Sequence, residues 1–205
     1  KHLAIDPARN QIGPAYAPSG TRLAYFSNLK GVEKEGIWVS GEDGADPVPL
    51  VQDGLINVFP RWGADGEHLI YMATRLARED KAAGGNPPTS GSDREYRRVS
   101  VSGGAPSTLL ANAADDNFDV GTDGRLLFRD PGGRVQSFDP SSRRPQALAL
   151  SPQSQDGWLL RFSRNGQSVA YILAASEEND PKAGLWVEDC KAPPRQVFHG
   201  WVRWY

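Results

Sequence analysis

Four stretches of the chain alternate apolar and polar residues with a period of two, and each is broken at the same point by a turn signal. They run from Gly13 to Tyr25, Phe59 to Tyr71, Phe118 to Phe128 and Leu160 to Tyr171. Each predicts a short strand, a tight turn and a second strand. The turn glycines are Gly20, Gly66, Gly124 and Gly166, preceded by Ser19, Asp65, Asp123 and Asn165. Asp-Gly and Asn-Gly reach the left-handed backbone conformations that tight hairpins need. Three residues after each glycine stands Leu23, Leu69, Leu127 or Val169, and two further on stands Tyr25, Tyr71, Arg129 or Tyr171. Positions two apart share one face of a strand, so each pair is expected to enter one packed layer. Arg129 is the exception. Its side chain is expected to lie along the sheet and reach water at the edge, with Phe128 carrying the packing.

A third strand is predicted at Gly36–Ser40, Tyr96–Val101, Arg134–Phe138 and Leu185–Glu188. A fourth is predicted at Pro47–Leu50, Ser107–Leu110, Pro145–Leu150 and Arg195–Phe198. Prolines in or beside the fourth strand suit an outer edge, where a missing N–H donor is tolerated. The turn glycines are 46, 58 and 42 residues apart, and the longest interval holds a polar, turn-rich insertion from Thr74 to Arg94. Without it the period is that of a four-stranded blade. The fold class expected is all-β: a β-propeller of four-stranded antiparallel blades at about 12–50, 58–110, 117–150 and 157–198. Residues 1–6 and 200–205 read as partial blades, which predicts a segment of a larger propeller. The alternative, a β-sandwich, does not require the same turn and the same apolar offsets four times.

Composition supports this reading. The 22 Gly, 16 Pro and 19 aromatic residues suit short strands and tight turns. No amphipathic helix and no apolar run of membrane-spanning length is visible. The net charge of −2 supplies no global attraction for nucleic acid or an anionic membrane. The single cysteine, Cys190, excludes an intrachain disulfide framework and leaves the compartment open.

The segments Ala17–Tyr25 and Trp62–Tyr71 resemble the TolB-like (WD-like) propeller repeat, with Pro60, Trp62, Asp65, Gly66, Leu69 and Tyr71 on its pattern. Ile37-Trp38 and Leu185-Trp186 fall on the strand-three position, and Val202–Trp204 on the start of a further copy. The resemblance implies a propeller. Its relatives include a periplasmic partner of a peptidoglycan-associated lipoprotein, propellers preceding prolyl-oligopeptidase-like hydrolase domains, and sensory portions of bacterial regulators. Fold does not choose among them.

Catalytic chemistry is not legible. His2, His68 and His199 fall on different repeats without ligand spacing, and neither a Gly-x-Ser-x-Gly elbow nor a phosphate-binding glycine loop is present. No catalytic residue, metal or cofactor is therefore assigned, and Asp65 and Asp123 are read as turn residues. A binding surface is expected at the end carrying the strand four-to-one connections and the strand two-to-three loops. Asp53, Asn57, Asp115, Asp116, Asn117, Asp156, Glu177 and Glu178 make that end mixed and somewhat acidic. The partner-binding candidates are Trp62, Asp115, Asp116, Asp156, Trp158, Glu177 and Trp204.

The function expected is a noncatalytic protein- or peptide-binding propeller of a bacterial envelope or signalling protein. Its partners would be proteins, peptides or other domains of the same gene product. It would have no nucleic acid partner and no direct membrane insertion in this stretch. A periplasmic or extracytoplasmic home is favoured, with a cytoplasmic one open. One alternative is an accessory, substrate-gating propeller of a prolyl-oligopeptidase-like serine hydrolase. Another is a propeller-type polysaccharide lyase or glycosidase with axial histidines or carboxylates.

Overall fold

The computed structural model describes residues 9–29, 32–75, 94–114, 117–163, 165–174, 180–189 and 191–200, with side chains described for all of these except 9–12, 28–29 and 32–35. Among the described residues, sixteen strands form four antiparallel four-stranded sheets, each a meander in chain order. The first sheet holds β1 (Arg9–Tyr16), β2 (Arg22–Leu29), β3 (Val32–Gly41) and β4 (Val48–Val51). The second holds β5 (Ile56–Trp62), β6 (His68–Thr74), β7 (Arg94–Ser100) and β8 (Ser107–Ala111). The third holds β9 (Asp119–Val120), β10 (Leu126–Arg129), β11 (Val135–Asp139) and β12 (Arg144–Ala147). The fourth holds β13 (Trp158–Phe162), β14 (Ser168–Leu173), β15 (Gly184–Asp189) and β16 (Ala192–His199). These are propeller blades, as the repeat predicts. The chain divides into two compact units, residues 1–116 with the first two blades and 117–205 with the last two. The expected partial blade 1–6, all of the expected partial blade 200–205 except Gly200, and most of the insertion lie outside the described residues.

One turn builds all four blades. The N–H groups of Gly20, Gly66, Gly124 and Gly166 donate to the carbonyls of Ala17, Gly63, Gly121 and Ser163 at 2.8–3.0 Å. The four glycines have φ between 66° and 80°, a region that a Cβ makes costly. The preceding carboxylate or amide braces the turn. Asp65 Oδ1 accepts the Glu67 N–H at 3.0 Å, Asp123 Oδ1 that of Arg125 at 3.1 Å, and Asn165 Oδ1 that of Gln167 at 3.2 Å.

The same turn docks neighbouring blades within each unit. Arg22, at the start of β2, donates to the Gly66 carbonyl of the next blade at 2.6 Å, and its guanidinium lies 4.9 Å from the Trp62 ring centroid. Arg125 repeats this in the second unit, donating to the Gly166 carbonyl at 3.2 Å and lying 5.5 Å from the Phe162 ring. First strands add further ties. Trp62 Nε1 donates to the Ala15 carbonyl at 2.8 Å, while the N–H groups of Leu160 and Phe162 donate to Asn117 Oδ1 and Asp119 Oδ2 at 2.8 and 3.0 Å.

First strands also share a kink. The β1–β2, β5–β6 and β13–β14 registers slip by a β-bulge, and the bulged residues Gly13, Phe59 and Leu159 have φ of 64°, 54° and 57°. Glycine relieves the strain only at position 13. There a Cβ would approach the Phe59 ring to 3.3 Å, so this glycine also makes room for the neighbouring blade.

The apolar offsets form the core. Leu69, Tyr71, Ala73 and Val99 pack with Ala24, Phe26, Ile37 and Val51 in the first unit; Leu127, Val135, Leu160, Val169, Tyr171 and Leu173 pack in the second. Arg129 departs from expectation. The register is unbroken, Phe128 and Arg129 are both buried, and the guanidinium does not reach water. Its Nη2 donates to the carbonyls of Ser154 (2.8 Å) and Gly157, which lie in the connection entering the fourth blade. A charge is tolerated there because fixed carbonyl dipoles replace its hydration. The fourth strand of the third blade is also shorter than predicted, ending at Ala147 rather than 150.

Arg129→Met is expected to destabilise the protein by about 2–3 kcal/mol in urea unfolding, because two buried carbonyls lose a charged donor. Arg134→Ala removes an exposed ion pair with Asp130 (3.0 Å) and is expected to cost at most about 0.5 kcal/mol. Equal costs for the two variants would refute the buried role of Arg129.

Candidate functional site

The two ends of each blade differ in what their side chains are doing. At the turn-glycine end, carboxylates and amides are occupied by their own loops. Asp65 also contacts His68, with Oδ2 at 2.7 Å from Nδ1, and Asp123 Oδ2 accepts from Arg125 Nε at 2.6 Å. Burial pushes the Asp65 carboxyl up, but the Glu67 N–H, the His68 ring and the His68 N–H outweigh it and hold the group below its ordinary value. This is the turn role expected for Asp65 and Asp123.

The opposite end carries the strand four-to-one connections and the strand two-to-three loops. In the first unit the connection before β5 is held by Asp53. Its Oδ1 accepts the Leu55 N–H at 3.2 Å and Asn57 Nδ2 at 2.8 Å, and its Oδ2 pairs with Arg97 Nη1 at 2.5 Å. Arg97 Nε is 3.2 Å from Glu95 Oε1, and Thr108 Oγ1 donates to Glu95 Oε2 at 2.7 Å. Beneath them Tyr71 is fully buried. Burial pushes its phenol well above the ordinary range, and the Arg97 charge acts against that rise. A cleft of 210 Å³ opens beside this network, with Leu55 from the connection, Arg75 after β6 and Arg94 at the start of β7 among its walls.

The second unit solves the same problem with neutral donors. The connection between β12 and β13 holds one turn of 3-10 helix, Pro152–Gln155. Glu188 is buried on β15, accepting from the Ser151 N–H, from Ser151 Oγ at 2.8 Å and from the Tyr171 hydroxyl at 3.1 Å; Gln153 Nε2 donates to that hydroxyl at 2.9 Å. Tyr71 and Tyr171 occupy equivalent strand-two positions; the Tyr171 hydroxyl bonds to the connection that enters its blade, while Tyr71 lies buried within the field of Arg97 and Asp53.

Of the seven partner-binding candidates, Asp115, Asp116, Glu177 and Trp204 lie outside the described residues. Trp62 ends β5 at the turn-glycine end, 7% exposed, covered by Arg22 and bonded to Ala15. Trp158 begins β13 at the other end and is 40% exposed. Asp156 is an exposed residue capping the 3-10 helix two positions earlier. The two tryptophans therefore stand at opposite ends of their strands, in different units. Sequence reading passed over the anchoring roles of Arg97, Tyr71, Ser151 and Glu188. Arg97 and Glu188 show in the sequence only as polar residues interrupting strands, Ser151 stands in a connection, and Tyr71 reads there only as a packing position of the repeat.

His199 Nε2 stands 3.3 Å from the Asp180 carbonyl, and His2 and Cys190 are outside the described residues. Among the described residues no three His, Cys, Asp or Glu side chains gather as metal ligands, and no helix is long and apolar enough to cross a membrane.

Four-stranded meander blades, docked pairwise through first strands and turns, define the class as a β-propeller. Among known proteins, the Tol-Pal system protein TolB of Hydrogenovibrio crunogenus is 33% identical over 60 residues, 28% of this chain and 14% of that protein. The uncharacterized peptidase YuxL of Bacillus subtilis is 33% identical over 66 residues, 30% of this chain and 10% of that protein. The matches thus span a small part of each relative. A putative TolB from Agrobacterium tumefaciens shares the fold, with a TM-score of 0.68 at 14% identity over 96% of this chain and 68% of that one. No protein-family model matches the chain.

The Asp53 network generates a pH dependence. Burial raises its carboxyl, but the Asn57 and Leu55 hydrogen bonds and the Arg97 guanidinium prevail and lower it. A carboxylate depressed in the folded state stabilises above its unfolded value of about 4 and loses that contribution as pH falls through its folded value. Asp53→Asn is expected to cost about 1 kcal/mol at pH 7, allowing for partial solvent screening, and progressively less towards pH 3. Urea unfolding at several pH values checks this; a deficit that grows on acidification would contradict it.

Proposed function

We propose that the chain is a noncatalytic, TolB-like propeller module that binds a protein or peptide in the bacterial envelope or a signalling protein. The observation that carries this reading is Trp158. It is a large aromatic left 40% exposed at the start of a first strand, whereas Trp62, at the far end of its own first strand, is buried. An exposed aromatic on a rigid strand supplies anchoring area at little entropic cost. Asp156 beside it adds an acceptor for a basic or polar peptide. Kinship with TolB supports a periplasmic or extracytoplasmic setting. The segmental match to a peptidase favours one second reading, an accessory propeller of a serine hydrolase. A Gly-x-Ser-x-Gly elbow elsewhere in the gene product would select it.

Panning a random displayed-peptide library on the 205-residue chain tests the first reading. Enriched peptides are expected to lose about tenfold or more in affinity on Trp158→Ala. Affinity should stay unchanged on Tyr16→Ala, an exposed aromatic at the turn-glycine end. Failure to enrich any peptide, or equal binding by both variants, would count against it.

A further inference from the structure

The fourth blade carries an apolar row with exposed ends. Pairing across β13, β14, β15 and β16 runs Trp158–Ile172–Leu185–Phe198, and directly opposed residues share one face of a sheet. Ile172 is buried and Leu185 half-buried, while Trp158 and Phe198 are 40% and 52% exposed. The other face of the same sheet is closed, with Val169, Tyr171 and Leu173 packed against Leu127, Val135 and Leu160. Two exposed aromatics at the ends of one row make a patch rather than scattered surface residues.

The first blade holds the same row with its cover in place. Phe26 stands six residues after Gly20, as Ile172 stands six after Gly166, and it pairs with Ile37, which pairs with Val51. The local build matches as well. A glycine precedes the strand-three residue in both blades, and a Cβ at Gly36 or Gly184 would collide with the carbonyl oxygen of Val51 or Phe198. A β-bulge follows that residue, between Ile37 and Trp38 or between Leu185 and Trp186. In the first blade Phe26, Ile37 and Val51 are buried in one cluster with Leu55, Val58 and Trp62, and β5 packs against β1, β2 and β3.

We infer that the Trp158–Phe198 face docks an extended segment of a partner protein, apolar towards the sheet and laid over the row as β5 lies over the first blade. This docking rests on the proposed role of Trp158 as a protein or peptide anchor, and adds the partner's conformation to it. Strands about 4.8 Å apart make a four-strand row about 14 Å long, which about five extended residues span. Alternate residues of such a segment face the sheet, so the partner carries two or three apolar side chains spaced by two. A lone indole anchor would require only one.

The probe is a capped synthetic peptide copying Leu55–Trp62, titrated into the 205-residue chain and followed by the Ile172 and Leu185 methyl signals in NMR. Those signals are expected to shift, with a Kd on the order of 1 mM. The peptide with Val58→Ser and Trp62→Ser should bind at least about tenfold more weakly. In the protein, Phe198→Ala should weaken binding about fivefold or more without lowering Tm, because Phe198 is exposed on an edge strand. Loss on Trp158→Ala but not on Phe198→Ala would keep the anchor and overturn the row. Methyl signals unmoved at about 2 mM peptide would overturn the docking surface, whatever a peptide library enriches. A dimer in sedimentation that Phe198→Ala dissociates would give the face to a second copy, and binding gained only on shortening the chain to 1–200 would give it to the residues after β16. Either result would overturn the partner segment.

Discussion

The left-handed turn at Gly20, Gly66, Gly124 and Gly166 is the constraint on which the blades depend. It closes the first hairpin of each blade through one glycine N–H, and so fixes which residues face the core. At Gly66 and Gly166 the same glycine also accepts an arginine from the preceding blade through its carbonyl. Hairpin register and blade docking are thereby coupled at one residue. An aromatic at the end of the first strand, Trp62 or Phe162, completes the joint by lying under the arginine. Neither element would hold well alone: an exposed cation–π contact is worth about 0.5–1 kcal/mol, and a single hydrogen bond adds a similar amount.

This arrangement divides the labour between the two ends of a blade. The turn end repeats from blade to blade, with its carboxylates bound to their own loops. The other end does not repeat. One unit fastens its incoming connection with the charged set Asp53, Arg97 and Glu95; the other uses Ser151, Gln153 and a buried Glu188. Strand-two tyrosines are common to both, but the chemistry above them is free to vary. The exposed Trp158 lies at this variable end, where changes cost the hairpin nothing.

The sequence made the turns and the second strands legible because both follow local rules: a left-handed glycine, and alternation with period two. The bulges were harder to see. Gly13 signals one, but Phe59 and Leu159 adopt the same positive φ without any compositional cue, held there by the surrounding sheet. Arg129 was misread for a related reason. Its partners are carbonyls 25 and 28 residues away, and local pattern supplies no hint of them. Arg22 and Arg125 stand in plain view after the turns, yet their acceptors lie 44 and 41 residues on. Of the candidate site, the end of the blades was legible from topology, but the Asp53–Arg97 pair was not, because its members lie 44 residues apart.

Double-mutant cycles at the two blade joints test this coupling most directly. Arg22→Met with Trp62→Leu, and Arg125→Met with Phe162→Leu, would be measured by urea unfolding. Both cycles are expected to give a coupling of about 0.5–1 kcal/mol. Additive behaviour in both, within about 0.3 kcal/mol, would contradict a shared docking device and leave the turns as purely local features.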